Sequence, residues 1–501
     1  MIYDLLIIGG GINGAGIARD AAGRGAKVLL VEKDDLAGHT SSASTKLVHG
    51  GLRYLEHYEF RLVRESLMER ERLLTIAPHI IWPLRFILPH DKGLRPSWLL
   101  RLGLLLYDNL GGRKLLPGTR TISLRDEPHA SVLEDRLTKG FEYSDCWVED
   151  ARLVVLNCMD ARERGADIRT RTECTALERA PDCWTATLRG PDGESTVTAR
   201  KIVNAAGPWV DHVLGKADAS GEGALRLVKG SHLVFPRLYE GDHAYIFQNR
   251  DNRIIFAIPY EGRFTLVGTT DKAFDGDPSG IDISPEEADY LCEAINEYLR
   301  RDVTPEDAVW SYAGVRPLYD DRSSDLSTVT RDYVFEMEEK GGAPILSIFG
   351  GKITTYRKLA EHALDTLGWA KTDGWTADRD LPGGDIEPLE FAGFVAECDA
   401  RYPWFGPRGT LRLARAYGTR LHAILDGATG TADLGEHFGL DLYERELDYL
   451  VREEFAVTAE DVLFRRSKLG LHLSAAERQR VEDWFAKRAE GMERVRGIEP
   501  L

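Results

Sequence analysis

The stretch Tyr3–Glu32, YDLLIIGGGINGAGIARDAAGRGAKVLLVE, decides the fold of this chain. Leu5–Ile8 is a short continuous apolar run of the kind that forms a buried parallel strand. A helical stretch, Asn13–Gly23, follows it, and Lys27–Val31 has the pattern of a second buried strand. The order strand, helix, strand predicts a Rossmann-like unit with a parallel sheet.

The glycines of this stretch predict a dinucleotide site. Gly9, Gly11 and Gly14 have the spacing G-x-G-x-x-G. The first allows the tight turn, the second lets the backbone approach a pyrophosphate, and the third lets the helix pack on the strand. The helix N-terminus attracts the phosphates, and Glu32, at the end of the second strand, is placed to accept hydrogen bonds from ribose hydroxyls.

Composition limits the function classes. A chain of 501 residues is too long for one core and predicts two or three domains. Its net charge of −17 argues against nucleic acid as a partner. No apolar window reaches the length of a spanning helix, and no signal peptide precedes the first strand, so we expect a cytoplasmic protein that does not cross the membrane. The cysteines are scattered, which is typical of a reduced protein and predicts neither disulfides nor a metal site: Cys146, Cys158, Cys174, Cys183, Cys292 and Cys398.

A loop of small residues follows Glu32, where further βα alternation is usual. Its hydroxyls suit phosphate and ribityl oxygens, and they belong to Ser41, Ser42, Ser44 and Thr45. The loop continues into Leu47-Val-His-Gly-Gly-Leu-Arg-Tyr54, in which Gly50 and Gly51 permit close backbone approach to a ligand. A solvated polar loop is the alternative, and the position directly after the nucleotide acid favours cofactor binding.

The rest of the chain indicates an α/β fold with an interleaved second domain. Lys201–Trp209 is expected to return beside the first strand, and Ile345–Phe349 is another strand before a helix at Thr354–Leu367. Four short runs predict an antiparallel sheet, namely Leu233–Phe235, Tyr245–Gln248, Ile254–Ile258 and Phe264–Gly268.

Domain boundaries follow from composition. We expect residues 1–375 to hold the dinucleotide-binding and substrate-binding regions, the dinucleotide part being about 1–75, 145–225 and 310–375. Residues 376–388, rich in Pro, Gly and Asp, are predicted to be a linker, and 389–501 an all-helical C-terminal domain.

The stretch Trp82–Leu116 has two interpretations. It interleaves Trp and Leu side chains with six basic residues: Arg85, Lys92, Arg95, Arg101, Arg113 and Lys114. An interfacial membrane helix has this composition, and so does an ordinary buried helix between domains. The sequence favours neither.

Several motifs in one order carry a resemblance to a known family. They are GGGINGAGIARDAAGRG, TSSASTKLVHGGLRYLEHYEFRLV, GFEYSDCWVEDARLV, NAAGPWV, KGSH, GTTD, GVRPL and FGGKITTYRKLAEHAL. Together these resemble the FAD-dependent, aerobic, quinone-linked glycerol-3-phosphate dehydrogenases over nearly the whole chain. The resemblance implies oxidation of sn-glycerol 3-phosphate to dihydroxyacetone phosphate, with FAD as the first acceptor.

The resemblance also implies partners and a location. Electrons are expected to pass to ubiquinone, and the protein to associate peripherally with the inner face of the plasma membrane. The quinone and the oligomeric state do not follow from the sequence, and a homodimer is left open. Two rivals remain, an oxidase of the same fold that reduces oxygen and a non-catalytic nucleotide-binding protein.

Candidate site residues combine the motifs with their chemistry. Arg53, Arg316 and Lys352 lie in glycine-flanked turns and supply charge for a phosphate ester. The substrate contacts are expected to be Arg53, Tyr54, His232, Thr270, Arg316 and Lys352. The cofactor contacts are expected to be Gly9, Gly11, Asn13, Gly14, Glu32, Ser41, Ser42, Ser44, Thr45, Leu47, His49, Gly50, Gly207, Gly351, Thr354 and Thr355.

Oxidation of the alcohol at C2 needs a base for the hydroxyl proton. His232 fits by its ordinary pKa, and Lys352 is the alternative if neighbouring arginines depress its pKa. The N-terminus of the helix near Thr354 is expected to face the flavin, where its dipole stabilises negative charge. His39 is expected to be a bystander, although related flavoenzymes attach FAD through a histidine near this region.

Overall fold

The architecture was analysed in a computed structural model. The structure describes residues 2–91, 96–112, 114–217, 225–249, 251, 253–319, 332–369 and 374–496. The strands are β1 Ile2–Ile8, β2 Val28–Val31, β3 Leu47–Val48, β4 Ile81–His90, β5 Arg120–Ser123, β6 Lys139–Val148, β7 Asp167–Arg169, β8 Glu173–Arg179, β9 Trp184–Gly190, β10 Gly193–Asn204, β11 Leu225–Pro236, β12 Ala244–Gln248, β13 Ile254–Tyr260, β14 Phe264–Gly268, β15 Lys272–Phe274, β16 Trp310–Tyr319, β17 Val334–Glu338, β18 Ile345–Phe349, β19 His437–Gly439 and β20 Leu442–Tyr443. The α-helices are α1 Ile12–Gly23, α2 Phe60–Ile76, α3 Ser97–Leu110, α4 His129–Val132, α5 Asp150–Glu163, α6 Val210–Lys216, α7 Pro285–Asn296, α8 Tyr356–Thr366, α9 Phe391–Arg401, α10 Pro407–Tyr417, α11 Leu421–Leu425, α12 Glu444–Glu453 and α13 Ala475–Arg496.

The first sheet has the parallel centre that its opening stretch predicts. Its order is β17-β18-β10-β1-β2-β7, and β10 carries β9 and then β8 as an antiparallel extension. Ile8 of β1 lies opposite Asn204 of β10, and Asn204 lies opposite Ser347 of β18. The carboxyl ends of the three strands therefore meet at one edge of the sheet. Helices α1, α5 and α8 pack together beside this sheet in one apolar core.

The second sheet carries the predicted antiparallel runs. Its order is β15-β11-β14-β13-β12-β4-β6-β3, with β16 beside β11 and β5 beside β6. Its pairs are antiparallel except for β12 and β4, which run parallel. One apolar core joins it to α7 and another to α2 and α3. The α/β prediction with an interleaved antiparallel sheet is confirmed.

The C-terminal region is helical apart from one short hairpin. Its core includes Leu413, Leu447 and Val481. The strands β19 and β20 pair across a two-residue turn, and β19 ends at Gly439, which has a φ of 136°. Glycine tolerates this left-handed backbone, so helical periodicity ends there. The limits of the domains and of the linker stay predictions.

The stretch Trp82–Leu116 divides into two kinds of element. Its first part is β4, held between β12 and β6, so the expectation of a helix there is wrong because long-range pairing overrides the local pattern. Its second part contains α3, which exposes Trp98 by 68%, Leu102 by 55% and Leu105 by 56%. Three of the predicted basic residues lie outside the described residues: Lys92, Arg95 and Arg113. Within the part of the chain that the structure covers, no helix combines the length and the apolar character needed to cross a bilayer.

Candidate functional site

Two glycines of the opening motif are required by packing. Gly9 has a φ of 116°, and a Cβ at this position would lie 2.4 Å from the carbonyl oxygen of Ala205. A Cβ at Gly14 would lie 2.0 Å from the carbonyl oxygen of Gly9. Gly11 is less crowded, since the nearest atom to its Cβ position is Ser41 Oγ at 3.1 Å. The turn thus packs tightly against β10 and presents the backbone of Gly11 to a cavity.

The first cavity has a volume of about 570 Å³ and lies where the three parallel strands end. Seven of the residues predicted to bind the cofactor line its wall: Gly9, Gly11, Asn13, Glu32, Ser41, Gly207 and Gly351. The Asn13 amide donates to the Gly350 carbonyl over 3.0 Å and so joins two of the turns. The structure brings these predicted residues together at one edge.

Glu32 is held in place by backbone donors. Its Oε2 accepts from the Gly10 amide at 2.7 Å, and its Oε1 accepts from the Asp34 amide at 2.8 Å. Burial raises the pKa of Glu32, and the two amides act in the opposite direction. Each carboxylate oxygen has a further lone pair for a ribose hydroxyl.

The geometry fits a dinucleotide such as FAD. The N-terminus of α1 opens on the first cavity with a glycine at its cap, and the Ile12 amide donates to Ser41 Oγ at 3.0 Å. Such a terminus stabilises phosphate oxygens. The first cavity beside Gly11 and a second cavity at the far end of the small-residue loop provide room for the two halves of the cofactor.

The hydroxyls of that loop have partners within the protein. Ser42 Oγ donates to the carbonyl of His39 at 3.1 Å. Ser44 Oγ donates to Asp150 Oδ2 at 2.8 Å, and Asp150 also accepts from the buried ammonium of Lys46. These bonds fix the shape of the loop, and direct contact of the hydroxyls with the cofactor stays a prediction.

His39 lies at the entrance to the first cavity. Its Nε2 is 2.7 Å from Asp34 Oδ2, and its ring centroid is 4.5 Å from that of Trp209. The ring therefore has both a polar and an aromatic partner, as a structural residue does. The expectation that His39 is a bystander stays a prediction.

The second cavity has a volume of about 530 Å³ and gathers residues from both sheets. Six predicted site residues line it: Thr45, Leu47, His49, Arg53, Tyr54 and Arg316. Asp145, Thr269 and Asp271 join the polar part of its wall. The remaining wall is apolar and extends to Leu99, Leu102 and Leu106 of α3.

The cations of this cavity differ in their pairing. Arg316 forms an ion pair with Asp271, and its Nη2 donates to Thr269 Oγ1 at 3.1 Å. Arg53 has no ion-pair partner among the described residues. Lys352 Nζ lies 3.7 Å from the centroid of the Tyr54 ring, a cation–π contact. Three positive charges thus lie close to the polar wall, and a carboxylate balances that of Arg316.

His232 lies behind the cavity wall. Its side chain is 1% exposed, and its Nε2 is 3.0 Å from Oγ1 of Thr45, which lines the cavity. The ring stacks on Tyr312 across the strand pair, with centroids 4.7 Å apart. Burial, then Arg316 and Lys46, hold the pKa of His232 well below its ordinary value. The imidazole ring is therefore neutral, and its hydrogen bond with the Thr45 hydroxyl connects it to the cavity.

The predicted Thr270 has a different environment. Its hydroxyl accepts from the Ser231 amide at 3.0 Å and donates to Glu287 at 2.8 Å, beneath the sheet. The neighbouring Thr269 lies on the cavity wall. A role for Thr270 in binding substrate stays a prediction, and Thr269 is the better placed of the two.

The short turn that precedes α8 is hydrogen-bonded to the backbone of His49. The Thr354 hydroxyl accepts from the His49 amide at 3.2 Å, and Thr354 and Thr355 are both buried in a short 3₁₀ turn before the helix. The helix itself begins at Tyr356, slightly later than predicted. The expectation that its N-terminal amides face the flavin stays a prediction.

Sequence reasoning missed four polar residues around the site. Lys46 and Asp150 pair beneath the loop, Tyr312 supports His232, and Asp145 lines the second cavity. Lys46, Asp145 and Asp150 all stand in the family motifs, next to buried apolar residues. Charged residues in such a setting are a signal for buried polar contacts.

Comparisons with known proteins agree with this geometry. Residues 4–357 match the model of the FAD dependent oxidoreductase family, and residues 375–497 match the C-terminal domain of alpha-glycerophosphate oxidase. The chain is 53% identical over 488 residues to D-erythritol 1-phosphate dehydrogenase of Brucella abortus, covering 96% of this chain and 97% of that protein. It is 52% identical over 491 residues to glycerol-3-phosphate dehydrogenase of Pseudomonas aeruginosa, covering 97% and 95%.

A solved structure is similar over nearly the whole length. Glycerol-3-phosphate dehydrogenase from Bacillus halodurans, complexed with FAD, has a TM-score of 0.75 and 29% identity, covering 97% of this chain and 94% of that one. The expected cofactor, FAD, is confirmed by this likeness and by the family match. The chain belongs to the FAD-dependent oxidoreductases, in the group that carries the C-terminal domain of alpha-glycerophosphate oxidase.

Proposed function

We propose that this enzyme oxidises sn-glycerol 3-phosphate to dihydroxyacetone phosphate and that its electrons pass to a membrane quinone. The observation that carries the proposal is that Arg53, Tyr54 and Arg316 line the second cavity together. His49 lines the same cavity. The names of the relatives support the substrate. Bound FAD supplies a two-electron acceptor for the hydride that leaves C2.

The charges of the cavity suit a phosphate ester. Arg53 brings an unbalanced positive charge, and a guanidinium forms paired hydrogen bonds with phosphate oxygens. Arg316 keeps one edge on Asp271, which fixes the orientation of the guanidinium in the wall. The Asp271 carboxylate also disfavours a second negative charge nearby, so the phosphate is expected to bind closer to Arg53 and the polyol hydroxyls closer to Asp271.

Proton removal uses the pair Thr45 and His232. The C2 hydroxyl donates to Thr45 Oγ1, and the Thr45 proton moves to Nε2 of the neutral imidazole as the hydride leaves. The distance of 3.0 Å between Oγ1 and Nε2 supports this path. Lys352, on the ring of Tyr54, is the alternative base.

The surface around α3 supports an acceptor dissolved in the bilayer. Five large apolar side chains of α3 are exposed, and three of them continue the wall of the second cavity. Arg101 and Lys114 are exposed near them and can meet lipid phosphates. We therefore propose peripheral binding to the inner face of the plasma membrane through this helix.

Anaerobic addition of glycerol 3-phosphate tests the main proposal. The flavin absorbance of the purified protein should bleach, whereas glycerol should leave it unchanged. An unbleached flavin would favour the non-catalytic rival. Re-oxidation by a short-chain quinone without peroxide would distinguish a dehydrogenase from an oxidase, which forms peroxide with oxygen.

A second candidate substrate is D-erythritol 1-phosphate, favoured by the relative that shares 53% identity with this chain. Both compounds are polyol monophosphates with a secondary alcohol, and the cavity of about 530 Å³ also contains Gln248 and Asp271 for additional hydroxyls. The ratio of kcat/KM for the two substrates decides between them. A higher kcat/KM for D-erythritol 1-phosphate than for glycerol 3-phosphate would make the four-carbon compound the preferred substrate.

A further inference from the structure

Tyr107 connects α3 directly to the His49–Arg53 loop, which forms part of the wall of the second cavity. It is one of only two buried residues of this helix, the other being Leu104. Its hydroxyl accepts from the Gly50 amide at 2.8 Å and donates to Asp145 Oδ1 at 2.8 Å. A Cβ at Gly50 would lie 2.6 Å from the Tyr107 oxygen, so the loop and the hydroxyl are in close contact.

Asp145, which accepts the hydrogen bond from Tyr107, is itself held in place by an arginine. Asp145 accepts from Arg70 at 2.7 Å, and both side chains are almost fully buried. Burial and the charge of Asp145 raise the pKa of Tyr107 well above its ordinary value. The tyrosine therefore keeps its proton and donates to Asp145, which leaves its oxygen to accept from Gly50.

The same loop touches both the substrate wall and the start of α8. The His49 backbone exchanges two hydrogen bonds with the Thr354 hydroxyl, and Arg53 follows within the next turn. A shift of α3 would thus move the Gly50 amide and, with it, the positions of His49 and Arg53. Seven of the fourteen residues of α3 are exposed and only Leu104 and Tyr107 are buried, which leaves the helix few core contacts that would resist such a shift.

We infer that Tyr107 is a positioning residue that transmits the docking of α3 on a lipid surface to the His49–Arg53 loop. This inference rests on the proposed membrane binding of α3. It predicts that lipid vesicles change the affinity for glycerol 3-phosphate even when the electron acceptor is soluble in water. Tyr107→Phe removes only the oxygen through which the change would pass.

The experiment compares the holoenzyme and Tyr107→Phe with and without vesicles that contain anionic lipid. Flotation, FAD content and KM with a water-soluble dye are measured for each. The parent is expected to float and to change its KM by about two- to tenfold, the range of one hydrogen bond, while the variant floats equally and does not respond. Tyr143→Phe is the control, since its ring packs edge-on to Tyr107 at 5.9 Å and it should keep the response.

The possible outcomes distinguish the proposal that α3 binds a membrane from the inference about Tyr107. A parent that does not float would remove both the membrane proposal and this inference. A parent that floats without a change in KM, or a variant that responds like the parent, would overturn the inference alone. If the variant loses FAD, hydrogen exchange of the parent decides: unchanged protection of the segment 47–56 on vesicle addition would also overturn it.

Discussion

The Lys46 ammonium lies 2.8 Å from Asp150 Oδ1, and both side chains are shielded from solvent beneath the cofactor loop. Breaking such a pair leaves one buried charge without compensation and costs about 3–5 kcal/mol. Lys46→Met should therefore lower the free energy of unfolding by about that amount. Denaturant titration measures the change.

The double variant Lys46→Met with Asp150→Leu is the matched control for this ion pair. Replacing a buried pair by apolar residues is often neutral, so the double variant should recover most of the lost stability. A double variant as unstable as the single one would contradict the ion-pair argument. It would indicate that Asp150 acts mainly through Ser44.

Arg53 and Arg316 should respond differently to substitution. Arg53→Ala removes one charge-assisted contact and should raise KM for glycerol 3-phosphate by about tenfold to a hundredfold. Arg316→Ala also leaves Asp271 without its cation, so its effect should be larger. Adding Asp271→Ala to Arg316→Ala should recover part of the loss. Equal steady-state constants for all variants and the parent would remove the phosphate assignment.

The Thr45–His232 pair should control the rate of flavin reduction. His232→Ala should slow single-turnover reduction by about 10²–10⁴-fold with a smaller effect on binding. Thr45→Val, which keeps the shape of the side chain, should slow it as well. A reduction rate near that of the parent in both variants would transfer the role of base to Lys352.

The pH profile provides an independent check of the same pair. The neutral imidazole is the active form, and activity is lost as pH falls through its pKa. Because burial and the neighbouring cations hold that pKa well below 6.5, the rate should stay constant as pH drops through 6.5. A fall centred near 6.5 would indicate a solvated histidine.

The exposed face of α3 should be needed for lipid binding. Trp98→Ala with Arg101→Glu removes the most exposed apolar side chain of the helix and reverses one charge. A basic contact with anionic lipid contributes about 1 kcal/mol, so flotation with vesicles should weaken clearly, and high salt should weaken that of the parent. Leu411→Ala, an exposed leucine elsewhere, is the control. Equal flotation of all three proteins would place the membrane face in another part of the molecule.

His79 should make stability depend on pH. The ring is fully buried beside Arg152 and Arg415, and burial first, then these arginines, lower its pKa to about 3. The unfolded chain binds a proton at about pH 6.5, so stability should be full above that value and fall by up to about 1.4 kcal/mol per pH unit below it. His79→Phe should reduce the slope of this dependence between pH 7 and 5 by up to the contribution of one proton, since His232 keeps its own lowered pKa, and the exposed His437→Gln should not. Parallel curves for His79→Phe and the parent would contradict the assignment.

The sequence predicted the parts of the fold whose signals are local. The strand–helix–strand unit and the antiparallel runs were both visible in short windows. β4 was not, because its pairing with β6 joins residues that are far apart in the chain. Local pattern alone could not distinguish a strand of that kind from a membrane helix.

The candidate site was predictable by residue type but not by contact. Arg53, Tyr54 and Arg316 do share a cavity. The position of His232 behind Thr45 depends on the register of β11 and β16, which no motif encodes. The pairing of Lys46 with Asp150, more than a hundred residues later, is hidden for the same reason.

The cofactor edge is assembled from the ends of β1, β10 and β18, which lie at Ile8, Asn204 and Phe349. A nascent chain therefore cannot complete this edge until the ribosome has released the segment beyond Gly351. FAD capture must follow nearly three quarters of translation, and a truncated product that ends before β18 cannot retain it.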